Sequence, residues 1–499
     1  MAEHFSPYLR NCRLDWQSII IRPGHTLLST LTAGDYPRGI WSYLRTDPAN
    51  DRILVRHNTD ATHKLYTITE AWVATSITTG GDIASDNRMN FQNVEDVIYC
   101  MNGSDDFGKL SGTTYTTPST GIGSFAPSFS VVFGWSHRAS GWSTNSNKVY
   151  KSVADDYEDF NSAWSDQYTF QETVTWLSAN NQALFYFTKN SISVTWLNDI
   201  TDTAGTITYA TRALEVKEWA NKHECIVEAG SRVYFVTPSN KISQIARGTD
   251  IDGFEILPLS HRKYQGIDKI MDTLDDDQDD AFGYYLQEHN IIKRFFKTEG
   301  ATFNDICIIY DISKDKFLVD TQKFFYGGIF FKNNNYTIST LEPKVYQDEI
   351  AQDDEDSAIP FTYRTKEFYI SDPTYKKVLR WARTLLDINE LASLTQTIWI
   401  DWQQVDSKTV DKDNITLSSG GIGTEAIGEH AIWEEWDDST GIDSEYQEVI
   451  ILRTKWNLNK KGIKIQVRFD NAVVWSKVRL KACNIKVETL PEEATPLTA

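Results

Sequence analysis

Three pairs of neighbouring carboxylates, Asp155/Asp156, Glu434/Glu435 and Asp437/Asp438, are the residues of this chain whose type could do chemistry. Two acids flanking a glycosidic bond can cleave it, one as general acid and the other as base or nucleophile. Tryptophans at 16, 41, 72, 135, 142, 164, 176 and 196 could line a sugar cleft by stacking. Adjacent residues on a strand point to opposite faces, however, so vicinal acids make poor partners, and solvated turns are the simpler reading. The tryptophans suit sheet cores and subunit contacts equally well. The run Asp272–Asp280 (DTLDDDQDD) holds calcium-ligand residue types. An EF-hand needs Gly at its sixth position and Glu at its twelfth. Counted from Asp272, those places hold Asp277 and Gly283, so the pattern fails and a charged surface or interface loop is the better reading.

Other signatures are missing. The nine histidines are scattered without an HExxH pair, and there is no nucleophile elbow, phosphate-binding loop or dinucleotide fingerprint. Gly121-Ile122-Gly123 sits in a Ser/Thr-rich loop and reads as a turn. Five cysteines, Cys12, Cys100, Cys225, Cys307 and Cys483, are odd in number and far apart. Their spacing suggests neither a zinc site nor a disulfide framework, and they read as small buried residues of a reducing compartment. No catalytic, metal or cofactor residue is expected, and the chain reads as non-enzymatic.

The positioning elements are strands. Runs rich in aromatic and β-branched residues recur with almost no helical stretch between them. Two kinds return in variant form: a run closed by an acidic turn, as in NVEDVIYCMN (93–102) and DICIIYDI (305–312), and a read-out strand, as in SRVYFVTP (231–238) and ALFYFTKN (183–190). The pattern predicts radially repeated small sheets, an all-β, β-propeller-like domain over 51–350. About 300 residues at roughly 40–50 per blade correspond to around six blades, though uneven spacing leaves the number open. Residues 1–50 read as an extended leader able to pair with a later strand and close the ring. Lys217–Lys222 and Ile388–Leu394 are the short helix candidates. The acidic stretch Asp348–Asp356, followed by Pro360, reads as a domain boundary. Alternating runs over 361–491 then predict a C-terminal β-sandwich.

The chain of 499 residues carries a formal net charge of −20 and 13% aromatic residues. That balance disfavours tight nucleic-acid binding by the whole chain, yet suits a surface past which phosphates slide. Asp272, Asp275, Asp276, Asp277, Asp279 and Asp280 form a candidate acidic channel or interface loop. From Ile442 to Leu490, ten Lys/Arg face five Asp/Glu. Lys460, Lys461, Lys464, Arg468, Lys477 and Arg479 are therefore a candidate basic contact surface. The start, MAEHFSPYLRNCRLDW, lacks an apolar core of signal-peptide length, and no apolar stretch reaches membrane-spanning length.

Several stretches, taken in order, resemble the tail nozzle or hub proteins of short-tailed bacteriophages, which are propeller-bearing tail proteins. They include RGIWSYLRTDPANDRILVRHNTDATHKLYTITEAWV near the start, FQNVEDVIYCMNGSDD, NQALFYFTKNSISVTWL, ECIVEAGSRVYFVTPSNKISQIA, and, in the last third, YRTKEFYISDPTYKKVLRWARTLLDI and KGIKIQVRFDNAVVWSKVRLKACNIKVETLP. The resemblance covers most of residues 40–491. It implies a structural virion protein of the tail, made in the host bacterial cytoplasm, forming a homohexameric ring. Implied partners are other copies of itself, the portal and adaptor rings, tail fibres, the host envelope, and genomic DNA passing through without specific binding. A receptor-binding or polysaccharide-degrading tail protein is the alternative reading.

Overall fold

The structure is a computed structural model whose described residues run from 8 to 489, apart from 117–130, 153–159, 248–253, 366–376, 411–448, 455–460, 472–477 and stretches of five residues or fewer. The described chain is nearly all strand and forms two compact units. One comprises residues 27–317 and 322–348; the other comprises 1–26, 318–321 and 349–499.

Four strands open the described chain: β1 (Tyr8–Arg10), β2 (Cys12–Asp15), β3 (Ser18–Ile21) and β4 (Gly24–Thr30). Successive sheets follow. The first is β5 (Gly34–Tyr43), β6 (Arg52–Thr59), β7 (Thr62–Ile68) and β8 (Ala74–Ser76). The second is β9 (Asn90–Val94), β10 (Val97–Met101), β11 (Gly108–Ser111) and β12 (Thr114–Thr116). The third is β13 (Val131–Trp135), β14 (Arg138–Trp142), β15 (Lys148–Lys151) and β16 (Asp166–Thr169). The fourth is β17 (Val174–Ala179), β18 (Ala183–Thr188), β19 (Ile192–Trp196) and, beyond the hairpin β20 (Thr201–Thr203)–β21 (Thr206–Thr208), β22 (Thr211–Leu214). The fifth is β23 (Val227–Ala229), β24 (Arg232–Val236), β25 (Ile242–Arg247) and β26 (Phe254–Pro258). After helix α1 (Gln265–Met271) the sixth is β27 (Phe282–Leu286), β28 (Ile291–Phe296), β29 (Ile306–Asp311) and the start of β30 (Lys316–Thr321). The seventh is β31 (Phe325–Phe331), β32 (Asn334–Ser339) and β33 (Lys344–Ala351), completed by β4.

First strands of consecutive sheets lie side by side: β5 by β9, β9 by β13, β13 by β17, β23 by β27, β27 by β31, and β31 by β5. The remaining link is a hydrogen bond, since Ser178 of β17 donates to Glu228 of β23. Seven four-stranded sheets among the described residues thus close a β-propeller. Apolar seams join them. Val55, Ile68, Ile338 and Val345 pack together between the seventh and first sheets, and Leu54, Leu65, Ile98 and Leu110 between the first and second. Phe185, Phe187, Val233 and Phe235 fill the seam between the fourth and fifth.

Burial explains the read-out strands. β18 and β24 are second strands, covered on both faces, so ALFYFT is buried throughout and RVYFV is buried after its first residue. A strand covered on both sides has no reason to alternate. The run NVEDVIYCMN is two strands rather than one: β9 ends at Val94, β10 starts at Val97, and the two pair antiparallel.

The second unit continues with β34 (Phe361–Arg364), β35 (Lys377–Ile388), β36 (Leu394–Ile400), β37 (Gln403–Val410), β38 (Val449–Thr454), β39 (Lys461–Gly462), β40 (Ile465–Asn471) and β41 (Val478–Thr489). One of its sheets has the order β1-β34-β40-β36-β37, and the other β2-β3-β41-β35-β38, with β39 on β35. Phe361, Leu394, Ile398, Val467 and Phe469 are buried there.

Residues 1–50 do not behave as one leader. The apolar run Ser18–Ile21 pairs with β41, placing Ile19 opposite Leu480, and Tyr8–Arg10 pair with β34. β4 completes the seventh sheet and β5 opens the first. The chain changes unit between Asp348 and Glu349, inside the acidic stretch read as a boundary. Of the two helix candidates, Lys217–Lys222 lies outside the described residues except Ala220. The other is not helical at its ends: Ile388 closes β35 and Leu394 opens β36, with 389–392 outside the described residues. The α-helix among the described residues, α1, immediately precedes the acidic run Asp272–Asp280; its apolar Ile267 and Met271 are buried.

Candidate functional site: buried charges at the seams

The sequence β28, Ile-Ile-Lys-Arg-Phe-Phe, places two cations inside a strand buried at every position. Successive residues face opposite sides of a sheet. Lys293 and Phe295 therefore share the side of the seventh sheet, while Ile292 and Arg294 share the side of the fifth.

On the seventh-sheet side, Lys293 Nζ donates to Asp348 Oδ2 at 2.6 Å, and Lys323 Nζ donates to Asp348 Oδ1 at 2.6 Å. All three side chains are essentially inaccessible. Burial alone would raise the Asp348 carboxyl, but the two ammoniums outweigh it and hold the group well below the usual carboxylate range. Phe295 meets Phe325 edge-on at 5.8 Å, and Lys323 lies over the Phe325 ring at 5.2 Å. A Cβ on Gly328 would come within 2.4 Å of the Tyr284 ring, so the two sheets meet there at glycine distance.

On the fifth-sheet side, Arg294 is fully buried. Its Nε donates to the Cys225 carbonyl at 3.1 Å, while Nη1 and Nη2 have no acceptor among the described residues. Burial lowers its pKa to about 10, so it stays charged at neutral pH. One seam further on, Glu228 accepts from Ser178 Oγ at 2.7 Å and from the Ala179 amide at 2.9 Å. Burial pushes this carboxyl up to about 7, against the pull of those two bonds.

The second unit carries its own ionic knot. Arg13 grips Asp320 with two parallel bonds, at 2.9 and 2.8 Å, and reaches Glu349 at 2.5 Å. Arg22 pairs with Asp354, and its Nε donates to Asn11 Oδ1 at 3.1 Å. Asn11 sits in the left-handed region, at φ 54°, which asparagine tolerates. Its amide donates to Thr321 Oγ1 and the Pro360 carbonyl. The knot ties β1–β3 to residues 320–321 and 349–360 of the same unit. Within the acidic stretch 348–356 read as a domain boundary, Asp348, Glu349 and Asp354 are each held by a cation.

The six candidate loop acids are not gathered around one point. Asp272 is 66% exposed, 3.8 Å from Lys241, and Asp275 is 26% exposed, 3.9 Å from Lys297. Asp276 is exposed, and Asp280 is half-buried with its carbonyl accepting from Asn304. Asp277 and Asp279 lie outside the described residues. Buried Gln278 anchors the loop, donating to the Asp275 and Lys297 carbonyls and accepting from the Lys297 amide. Of the candidate basic surface, Arg468 on β40 pairs with Asp470 at 2.8 Å. Lys461 lies in β39, and Arg479 lies in β41 opposite Asp387. Lys460, Lys464 and Lys477 lie outside the described residues, as do the three carboxylate pairs considered for glycoside cleavage. Among the described residues no three His, Cys, Asp or Glu side chains converge as metal ligands. Cys12, Cys100, Cys225 and Cys307 are buried. Trp41, Trp72 and Trp176 pack against the seam cores.

No family model matches the chain, and no curated protein does. Solved structures that it resembles include a streptogramin B lyase, at 13% identity and TM-score 0.42, over 67% of this chain and 99% of that one. YCF48 bound to D1 peptide matches at 11% identity and TM-score 0.40, over 69% and 98%. BamB from Moraxella catarrhalis matches at 10% identity and TM-score 0.39, over 68% and 94%.

Proposed function

We propose that the chain is a structural virion protein: the subunit of a homohexameric ring that forms the tail nozzle or hub of a short-tailed phage and lines its DNA ejection channel. The observation that carries this reading is a net charge of −20 on a nearly all-strand scaffold in which buried ion pairs such as Lys293/Lys323–Asp348 and Arg13–Asp320 tie strands together. A rigid platform with an acidic surface suits a conduit, because carboxylates repel phosphates and prevent sticking. The resemblance set out above supports the same reading. In this role the protein does no catalysis, and it contacts the portal or adaptor ring on one side and fibres or host envelope on the other.

Negative-stain imaging and light scattering of the purified full chain test the proposal. The expected result is a ring with a central opening and a mass near six times 57.0 kDa. Duplex DNA at low salt should not be retained by it. Persistent monomers, or tight DNA retention, refute the reading. Release of reducing ends from host capsule or lipopolysaccharide would instead favour the polysaccharide-degrading alternative.

A further inference from the structure

We propose that the seam between the fifth and sixth propeller sheets is a binding site for one small monovalent anion of the halide type, held by the Arg294 guanidinium. Arg294 has no accessible surface, and its two terminal nitrogens find no acceptor among the described residues. Among the described residues, the polar groups whose charge acts on it are the thiols of Cys225 and Cys307 and the hydroxyl of Tyr234, with no carboxylate among them. The surrounding wall is apolar: Val227, Ala229, Ile292 and Tyr310.

A buried guanidinium needs both acceptors and a counter-charge. The Asp348 site on the other face of β28 shows the usual solution, a carboxylate between cations. On this face no described residue supplies that carboxylate. Water would satisfy the two donors but leave the charge, whereas an anion satisfies both requirements. The ligand must be small. A Cβ on Gly283 would already lie 3.1 Å from Arg294 Cγ and 2.8 Å from Val227 Cγ2, so the seam is closely packed along the arginine stem.

Two measurements on the full-length protein test this. Crystals grown in bromide should show an anomalous peak within about 3.5 Å of Arg294 Nη1 or Nη2, the reach of a hydrogen bond to a large anion. In thermal melts at constant ionic strength, replacing gluconate by chloride or bromide should raise Tm saturably, by roughly 1–3 °C. Arg294→Met should abolish that increment. A map with no bromide at this seam overturns the proposal. So does a halide response that persists unchanged in R294M. If R294M does not fold, the bromide map alone decides.

Discussion

Replacing Asp348 by Asn isolates what the buried triad contributes. In the wild-type protein two ammoniums sit at 2.6 Å from opposite oxygens of one carboxylate. That geometry puts the two charges about 5 Å apart, and at an effective dielectric near 20 their mutual repulsion is about 3 kcal/mol. Asparagine is nearly isosteric but neutral, so D348N keeps the shape and leaves two uncompensated cations. Removing one partner from a buried pair costs about 3–5 kcal/mol, and here two cations are orphaned, so a loss near 5 kcal/mol is expected. Lys323→Met is the informative control. It leaves a neutral Lys293–Asp348 pair and should cost about 2 kcal/mol, chiefly one charged hydrogen bond. Hydrogen exchange read by mass spectrometry on peptides covering β28 and β31–β33 measures the loss where it occurs, independently of the second unit. A D348N loss below about 1 kcal/mol, or a K323M loss as large as that of D348N, refutes the reasoning. The pH dependence has a definite sign. Because the native carboxyl is depressed, its stabilisation is complete above the unfolded value, near pH 4, and declines as the pH falls from there toward the lower native value.

Three other outcomes follow from the geometry. Glu228 is raised in the native state to about 7, so propeller stability should fall as the pH rises from about 4.3 to 7, by about 3 kcal/mol in all; Glu228→Gln should flatten that slope in urea titrations run at each pH. Gly24→Ala places a Cβ 1.6 Å from the Asp353 carbonyl oxygen, forcing backbone apart, and should cost about 2–4 kcal/mol by urea denaturation, whereas an equally stable variant contradicts the close approach. Burial drives the Cys12 and Cys100 thiols up and encloses Cys225 and Cys307, so a thiol reagent should modify at most Cys483 quickly in the folded protein; rapid loss of two or more thiols refutes the packing.

What could be read from sequence follows from what shields each residue. Second strands such as β18 and β24 announce themselves because both faces are covered and the apolar run is unbroken. The antiparallel pair inside NVEDVIYCMN was hidden because only two acidic residues, Glu95 and Asp96, separate its apolar runs in the sequence. The buried charges were missed for a different reason. Arg13 and Glu349 meet across a separation of 336 residues, and Lys293 and Asp348 across 55, so no local window contains both partners. One signal was available for β28: two cations inside six residues otherwise all Ile and Phe, a pattern no exposed strand requires. The partners of the Asp348–Asp356 acids could not be foreseen because their bases are remote in sequence. The strand pattern carries the fold, while the charged contacts depend on which sheets the ring brings together.

The clasp made by β4 and β33 also fixes an order of events during synthesis. The two strands stand more than three hundred residues apart in the chain. At a translation rate of about 5–20 residues per second, the seventh sheet waits roughly 15–60 s for its outer member's partner to leave the ribosome. Throughout that interval the early strands have neighbours on one side only, and their unpaired edges stand open to other nascent chains.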